Sequence, residues 1–336
     1  MDIAGVVWDQ KRQTDLDKAR PIPDMHIHTR YCNHSTNTIA GVISFLRENS
    51  LFGAINEHAP HPEQFKRGNV HIANLEKDVM TPSQMEEFLA VYSASCHDHR
   101  LNWTVPVGLE VDLYPGMEDE VHALFHSFQD SFRKHHVPFN HLSLAHHYPG
   151  GYSLFRDNFR EHIKEQGAEK VIRGYFDALC SEIESYHYDF VCHPGVIHYG
   201  FNKLGLFVMA DPVLKGAYLK GYSDLLSSAK RSNTALEINT SGMHRNYAEA
   251  HPGLGCIPDV LDYPNPHMPV EMMAQGLEQG VKFVVGSDCH DQKNYFGIIQ
   301  HHQYFDQVHD VLASLGAKEV YVVLNRNLAP VPLERS

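Results

Sequence analysis

The chain has 336 residues, with 28 Lys and Arg against 41 Asp and Glu, which gives a formal net charge of −13. This negative balance argues against nucleic acid as the main partner, because a phosphate backbone needs a basic surface. Hydrophobic residues make up 43% of the chain, enough for a sizeable core. Barrels of alternating strands and helices often reach this length as a single domain. The 26 histidines are the unusual feature of the composition.

Six scattered cysteines contain no C-x-x-C pair and do not resemble a disulfide framework, which favours a reducing compartment. Residues 1–20 carry charges throughout and lack a long apolar core, so we predict neither a signal peptide nor a membrane span there. We therefore expect a cytoplasmic protein without a membrane partner. Residues 1–20 would form an N-terminal extension without an assigned role, and residues 21–336 a single domain.

Short apolar runs alternate with amphipathic segments along the chain. The runs predict seven strands, at Ile22–Thr29, Gly53–His58, Thr104–Leu113, His141–His147, Phe190–His193, Ala235–Asn239 and Phe283–Ser287. Helical spacing of apolar residues predicts helices at Thr38–Ser50, Pro82–Ser95, Val121–Phe132, Lys170–Ser185 and Pro269–Gln279. This alternation indicates a parallel sheet with helices outside, and seven such units favour a closed barrel. The apolar run Glu319–Leu324 predicts another strand or an addition at an edge.

Residues that can bind metal stand where the predicted strands end. His26 and His28 are two residues apart, so they point to the same face of a strand. Later strand ends supply further imidazoles and carboxylates: Glu57, His58, Glu110, His146, His193, Glu237, Asp288 and His290. Because β/α barrels build their active sites at this end of the strands, we expect a cluster that holds more than one ion. Imidazole and carboxylate together suit Zn, Mn or Fe.

Glu110 could bridge two ions, although a paired structural carboxylate is the alternative for an isolated glutamate. Gly286, beside Asp288, would let the chain approach the site closely. Cys192 and Cys289 each neighbour a predicted ligand, and alternation along the strand predicts that they turn away from the mouth and pack in the core.

Three further residues could act at the mouth. Arg245, in EINTSGMHRNY after the sixth strand, could bind a phosphate through two parallel hydrogen bonds, or it could be an arginine of a surface loop. His198 and Tyr199 follow His193 and could line the mouth, and a purely structural role fits them equally.

Seven motifs resemble those of the PHP superfamily (polymerase and histidinol phosphatase). In chain order they are DMHIHTRYCNH, NEHAP, GLEVDLYPG, SLAHHY, VCHPG, LEINTSG and VGSDCH. The resemblance extends over roughly residues 22–330. The run EINTSG, followed by Asp262-Tyr263-Pro264 and GSDCH, is similar to the histidinol-phosphate phosphatase branch. It implies a distorted seven-stranded β/α barrel with its active site at the carboxyl ends of the strands.

The resemblance also implies a centre of three divalent metal ions per chain (Zn, Mn or Fe). The motifs assign nine ligands: His26, His28, His34, His58, Glu110, His146, His193, Asp288 and His290. The choice of His146 over the adjacent His147 rests on the resemblance. Arg245 corresponds to a region that binds the substrate phosphate.

The implied reaction is hydrolysis of a phosphate monoester by a metal-activated hydroxide, with L-histidinol phosphate as the favoured small substrate. Asp288 or His198 could protonate the leaving oxygen. Glu57 and Tyr199 could contact the substrate, and Glu57 could instead orient His58. The alternatives are another PHP phosphoesterase acting on a nucleotide, phosphotyrosine or other small phosphate, a non-catalytic metal-binding module, and an amidohydrolase. No oligomeric state is predicted.

Overall fold

The computed structural model describes residues 23–48, 51–62, 79–97, 105–114, 116–241, 267–290 and 299–333. Seven parallel strands follow one another around a single sheet in chain order. They are β1 (Asp24–Ile27), β2 (Gly53–His58), β3 (Val107–Asp112), β4 (His141–Ala145), β5 (Phe190–Val191), β6 (Ala235–Asn239) and β7 (Phe283–Gly286). The predicted seven-stranded β/α barrel is therefore confirmed. Each predicted strand is present, and several are shorter at their ends than the apolar runs suggested.

Helices fill the connections and pack on the outside of the sheet. They are α1 (Ile39–Glu48), α2 (Pro82–His97), α3 (Glu118–Lys134), α4 (Phe159–Gln166), α5 (Ala168–Ser185), α6 (Ile197–Lys203), α7 (Pro212–Ser232), α8 (Val270–Gln279) and α9 (Ile299–Ser314). The five predicted helices correspond to α1, α2, α3, α5 and α8. The long helix α7 and the helices α4, α6 and α9 were not predicted.

Strands β1 and β7 meet at the seam where the barrel closes. Ile27 and Cys289 form a parallel bridge, and the His28 amide donates to the Cys289 carbonyl at 3.1 Å. The carboxylate of Asp24 accepts hydrogen bonds from the backbone amide and the hydroxyl of Ser287, at 2.9 and 2.6 Å. Both backbone and side-chain hydrogen bonds therefore join the first and last strands at this seam. They bring His26, on the first strand, next to Asp288, just after the last strand.

Two apolar layers support the barrel. The larger layer lies between the strands and the outer helices. The smaller fills the barrel itself with Met25, Ala54, Ala145, Phe190, Cys192, Ala235 and Val284. Val322 and Val323 complete this inner layer from a separate antiparallel hairpin, formed by β8 (Glu319–Leu324) and β9 (Asn327–Pro332).

The hairpin closes the end of the barrel at which the strands begin. Asn140, just before β4, accepts from the amide of Arg326 through its carbonyl and donates through its side chain to the Val323 carbonyl at 2.7 Å. The run Glu319–Leu324 is thus a strand, but it belongs to a plug beneath the barrel and does not extend the seven-stranded sheet. The residues predicted to bind metal lie at the opposite end of the barrel, where the strands end.

The predicted N-terminal extension at residues 1–20 lies outside the described residues. None of the helices that the structure describes combines the length and apolar character needed to cross a bilayer.

Candidate metal centre

Four side chains from β1, β3 and the end of β7 bring their donor atoms together at the mouth. His26 Nε2 lies 2.9 Å from His28 Nε2 and 3.2 Å from Glu110 Oε2. Asp288 Oδ1 lies 3.2 Å from His28 Nε2 and 3.7 Å from His26 Nε2. Bonds of about 2.0–2.2 Å to a tetrahedral ion place neighbouring donor atoms roughly 3.3–3.6 Å apart. These separations of 2.9–3.7 Å lie around that spacing, so the four donors could bind one such ion.

The second oxygen of Glu110 faces a second group of imidazoles. Glu110 Oε1 is 3.0 Å from His193 Nε2 and 3.8 Å from His147 Nε2, and the two imidazole nitrogens are 3.3 Å apart. Glu110 is almost completely buried, so its two oxygens face two donor groups without solvent between them. This is the geometry of a bridging carboxylate.

A third group consists of imidazoles from three different segments. The ring of His290 stacks on the rings of His28 and His34, with centroids 4.1 and 4.4 Å apart. His58 lies 4.4 Å from His28 and 5.2 Å from His34, measured between ring centroids. The ring nitrogens of His28, His58 and His290 lie within 4.8 Å of one another. His58 Nδ1 lies 3.2 Å from Glu110 Oε2. The buried His290 Nε2 has no hydrogen-bond partner, and a cation would supply one.

Hydrogen bonds behind the cluster fix which ring nitrogen faces it. His26 Nδ1 is 2.8 Å from Glu237 Oε1, and His147 Nδ1 is 2.9 Å from Asp112 Oδ1. His34 Nδ1 lies 2.7 Å from the Cys32 carbonyl, and His290 Nδ1 lies 2.8 Å from the Asp288 carbonyl. A proton held on Nδ1 by such an acceptor leaves the lone pair on Nε2, which is how metal-binding histidines are usually oriented.

The carboxylates make the pocket favourable for positive charge. Burial alone would lower the pKa of His28, but Asp288, Glu110 and Glu57 raise it to about 10. Burial also acts to lower the pKa of His147, yet Asp112 and Glu110 raise it to about 9. The pKa of Asp288 is held low, because His290 and His28 outweigh the effect of burial. Divalent ions would compete with protons for the same lone pairs.

Backbone conformation, and not strand alternation alone, aims two of these side chains. His193 and Asp288 have φ values of +27° and +53°, in the region that residues other than glycine rarely adopt. The His193 amide donates to Glu237 Oε2 at 2.6 Å, and the Asp288 amide donates to the His26 carbonyl at 2.8 Å. Such strain often accompanies functional sites.

Gly286 allows the close approach that the sequence predicted. A Cβ at this position would overlap Glu237 Oε1 and lie 2.5 Å from the Cβ of His26.

The structure brings His147, and not His146, into the cluster. His146 stacks on Tyr175 with ring centroids 4.9 Å apart, and burial lowers its pKa to about 3. Strand β4 ends at Ala145, so alternation no longer decides which of the two following histidines faces the mouth. On this geometry His147, and not the predicted His146, has its Nε2 beside Glu110 and His193.

Two residues with predicted catalytic or substrate-binding roles, Glu57 and His198, are buried. Glu57 is fully buried, and its Oε1 accepts from the Thr29 amide at 2.5 Å while Oε2 lies 3.9 Å from His28 Nδ1. It therefore supports the segment around His28, through the Thr29 amide and beside the His28 ring. His198 is buried on α6, its Nδ1 lies 3.0 Å from Asn202 Nδ2, and burial lowers its pKa to about 4.

Of the two other residues with a predicted substrate contact, the structure describes Tyr199 and not Arg245. Tyr199, on α6, is partly exposed, with its ring 5.5 Å from that of Phe155. Arg245 and the segment Asp262-Tyr263-Pro264 lie outside the described residues.

Three residues near the cluster were not given their observed roles from the sequence. Asp112 supports His147, and β3 carries it two residues after Glu110 on the same face. His267 is buried, and its pKa is lowered to about 3 by burial and by the nearby imidazoles of His193 and His198. The thiol of Cys192 lies within 4.8 Å of donor atoms of His26 and Glu110, so the prediction that it turns away from the site is wrong. Burial raises the pKa of this thiol.

Known proteins are similar to this chain in sequence and in fold. Over 268 residues, which are 80% of the chain and 85% of the relative, it is 24% identical to the "Probable histidinol-phosphatase" of Deinococcus radiodurans. It is 23% identical to the histidinol-phosphatase of Bacillus subtilis, over 80% of the chain and 92% of the relative. The chain is therefore similar in sequence to two histidinol-phosphatases. The resemblance of its motifs to the histidinol-phosphatase branch is thereby confirmed, although no family model matches the chain.

A solved structure has the same fold over nearly the whole length of the chain. It is the histidinol phosphate phosphatase of Lactococcus lactis, determined in complex with zinc, L-histidinol and phosphate. The TM-score is 0.59 and the identity 12%, with 92% of this chain and 99% of that chain covered.

Proposed function

We propose that this protein is a metal-dependent phosphatase that hydrolyses L-histidinol phosphate to L-histidinol and phosphate. The observation that carries the proposal is the donor cluster at the mouth, in which Glu110 faces five imidazoles through its two oxygens. Two homologues are named histidinol-phosphatases, and a protein of the same fold was solved with zinc, histidinol and phosphate. Cluster, sequence and fold thus support the same reaction.

Nine residues would hold the metal ions. They are His26, His28, His34, His58, Glu110, His147, His193, Asp288 and His290. We propose three ions per chain: one between β1 and β7, one beside His147 and His193, and one among His34, His58 and His290. Imidazoles and carboxylates in this proportion suit Zn, Mn or Fe.

Divalent ions in such a site lower the pKa of water and neutralise charge on the phosphoryl oxygens. The protein residues hold these charges in position. Glu110 keeps two donor groups adjacent, and the carboxylates of Glu237 and Asp112 fix the orientation of His26 and His147. This fixed arrangement stabilises the transition state, since it needs no reorganisation during the reaction.

The ionised state of Asp288 fits a ligand better than an acid, because its pKa lies well below the usual range. We propose Arg245 and Tyr199 as substrate contacts, Arg245 through the phosphate and Tyr199 through the rest of the molecule.

We also propose that the protein works in the cytoplasm. Cys32, Cys180 and Cys192 are free thiols, and Cys32 and Cys192 are buried next to donor atoms of the cluster. A reducing compartment keeps such thiols from oxidation.

The test is phosphate release by the full-length protein, purified without metal and reconstituted with Zn, Mn or Fe. We expect kcat/KM for L-histidinol phosphate to exceed that for 4-nitrophenyl phosphate and nucleotide monophosphates by about 100-fold or more, which a specific binding site can provide. A chelator should abolish the activity, and elemental analysis should find three ions.

The matched variants are His26→Gln and His126→Gln. His126 is an exposed histidine on α3, so its replacement should leave kcat/KM unchanged, whereas His26→Gln should reduce it by more than about 100-fold. Equal rates on L-histidinol phosphate and on a generic aryl phosphate would contradict the substrate assignment. Full activity of the chelated protein would contradict the metal mechanism.

A further inference from the structure

Phe155 presents an aromatic face at the mouth of the barrel, next to the metal cluster. It lies in the connection between β4 and α4, and 40% of its surface is exposed. Its ring centroid is 5.3 Å from that of His147 and 5.5 Å from that of Tyr199 on α6. Single exposed apolar residues are common on protein surfaces and need no explanation. Phe155 differs from such isolated residues, because it lies between a proposed metal ligand, His147, and a second aromatic ring, Tyr199.

The backbone around Phe155 is fixed to both neighbouring connections. The amide of Leu154 donates to the His147 carbonyl at 3.0 Å, so the loop folds back over the ligand. Lys203, at the end of α6, donates through Nζ to the Phe155 carbonyl at 2.6 Å. The ring is therefore held between the connections that follow β4 and β5. An ordered aromatic face costs little conformational entropy when a ligand binds to it.

The proposed substrate has a flat ring at the end opposite its phosphate. With the phosphate at the metal ions, the short chain of single bonds in L-histidinol phosphate carries the imidazole to the rim of the mouth. Aromatic faces attract other rings in tilted or offset arrangements and attract cations over the face, and an imidazole can satisfy either preference. The ring of Phe155 is next to a proposed ligand, at the rim where the imidazole would emerge.

We propose that Phe155 is a specificity-determining residue whose ring packs against the imidazole of the substrate, with Tyr199 beside it. This inference rests on the proposed function and deepens it. It assigns the ring end of the substrate to the face between the β4 and β5 connections. It predicts that Phe155 contributes to binding of the leaving group and not to the phosphoryl-transfer step itself.

The test compares a substrate with a ring and one without. Phe155→Ala, Phe155→Leu and Phe155→Tyr are assayed with L-histidinol phosphate and with O-phosphoethanolamine, which has an ammonium group and a phosphate but no ring. We expect Phe155→Ala to raise KM for L-histidinol phosphate by about 3- to 10-fold, the value of one aromatic contact, with kcat little changed. Phe155→Tyr should retain wild-type KM, and Phe155→Leu should recover only part of it. Rates on O-phosphoethanolamine and inhibition by inorganic phosphate should not change.

Calorimetric binding of L-histidinol gives a readout that is independent of turnover, and its Kd should rise by the same factor in Phe155→Ala. Phe207→Ala is the matched control, because Phe207 is 44% exposed in the turn between α6 and α7 and should not affect either substrate. An equal loss on both substrates in Phe155→Ala, or an unchanged KM for L-histidinol phosphate, would overturn the inference. A wild-type protein inactive on L-histidinol phosphate would instead contradict the proposed function.

Discussion

Replacing Glu237 by glutamine should weaken metal binding although Glu237 is not itself a proposed ligand. Its carboxylate is fully buried and accepts three hydrogen bonds: His26 Nδ1 at 2.8 Å, the His193 amide at 2.6 Å and Asn239 Nδ2 at 3.0 Å. One carboxylate thus orients a side chain on β1 and the backbone after β5. A glutamine has one oxygen and one NH2 group, so it cannot accept hydrogen bonds from both sides.

Each orientation of the amide has a definite cost. If the NH2 group faces His26, the imidazole must accept at Nδ1, and its proton moves to Nε2, which then cannot bind an ion. If the NH2 group faces the His193 amide, two donors oppose each other in a buried position, at a cost of about 1–3 kcal/mol. Loss of an outer partner of a ligating histidine typically weakens metal binding by about 10- to 100-fold, which is about 1.4–2.7 kcal/mol.

The assay is metal titration of the stripped Glu237→Gln protein, followed by phosphate release and by elemental analysis after dialysis. The matched control is Glu184→Gln, an exposed carboxylate that pairs with Arg231 on the surface, for which we expect wild-type metal binding. Urea unfolding of the metal-free proteins separates the loss of stability from the loss of metal affinity. Wild-type affinity and activity in Glu237→Gln would refute the argument that this carboxylate orients His26.

Three further predictions follow from the described contacts. His147→Gln should remove metal and reduce kcat/KM by more than about 100-fold, whereas His146→Gln should retain metal, and elemental analysis of the two variants decides between the adjacent histidines. Gly286→Ala should lose metal and activity, because its added Cβ would displace Glu237 and His26. The control is Gly216→Ala on α7, where nothing lies within 4 Å of the added atom, and it should be neutral or slightly stabilising. Phosphate release and urea unfolding measure both outcomes. Burial and Arg326 lower the pKa of His141 to about 3, below the unfolded value of about 6.5, so its contribution to stability is complete above about pH 6.5 and declines by about 1.4 kcal/mol per pH unit as the pH falls toward 3. Urea unfolding at pH 7 and pH 5.5 should show a smaller loss in His141→Gln than in wild type, and an identical loss would contradict this assignment.

The barrel could be predicted because the sequence shows both periodicities, that of strands and that of helices. Short runs such as Gly53–His58 and Ala235–Asn239 coincide with the observed strands, and the helices between them have apolar residues at helical spacing. Parallel strands joined by helices place all their carboxyl ends at one mouth, so ligand types at strand ends had to converge.

The missed helix α7 shows a signal that was present in the sequence. Asp211 caps it by accepting from the amides of Val213 and Leu214, and Pro212 occupies its first turn. An aspartate followed by proline is a common start of a helix. The hairpin beneath the barrel was harder to predict, because Val322 and Val323 fit an eighth strand as well as a plug, and only the contacts of Asn140 decide between them.

The site itself could be predicted only as far as alternation along a strand holds. Phe190 and Cys192 both face the barrel interior, as period-two alternation requires. Alternation would then turn His193 outward, yet its Nε2 lies 3.0 Å from Glu110 Oε1. The positive φ of His193 makes this reversal, and the hydrogen bond from its amide to Glu237 holds it. With His193 expected to face the mouth, alternation predicted that Cys192 turns away from it. In the structure Cys192 follows the alternation and His193 breaks it. The same hydrogen bond is lost or opposed in Glu237→Gln, so that variant should disturb two proposed ligands, His26 through its ring and His193 through its backbone.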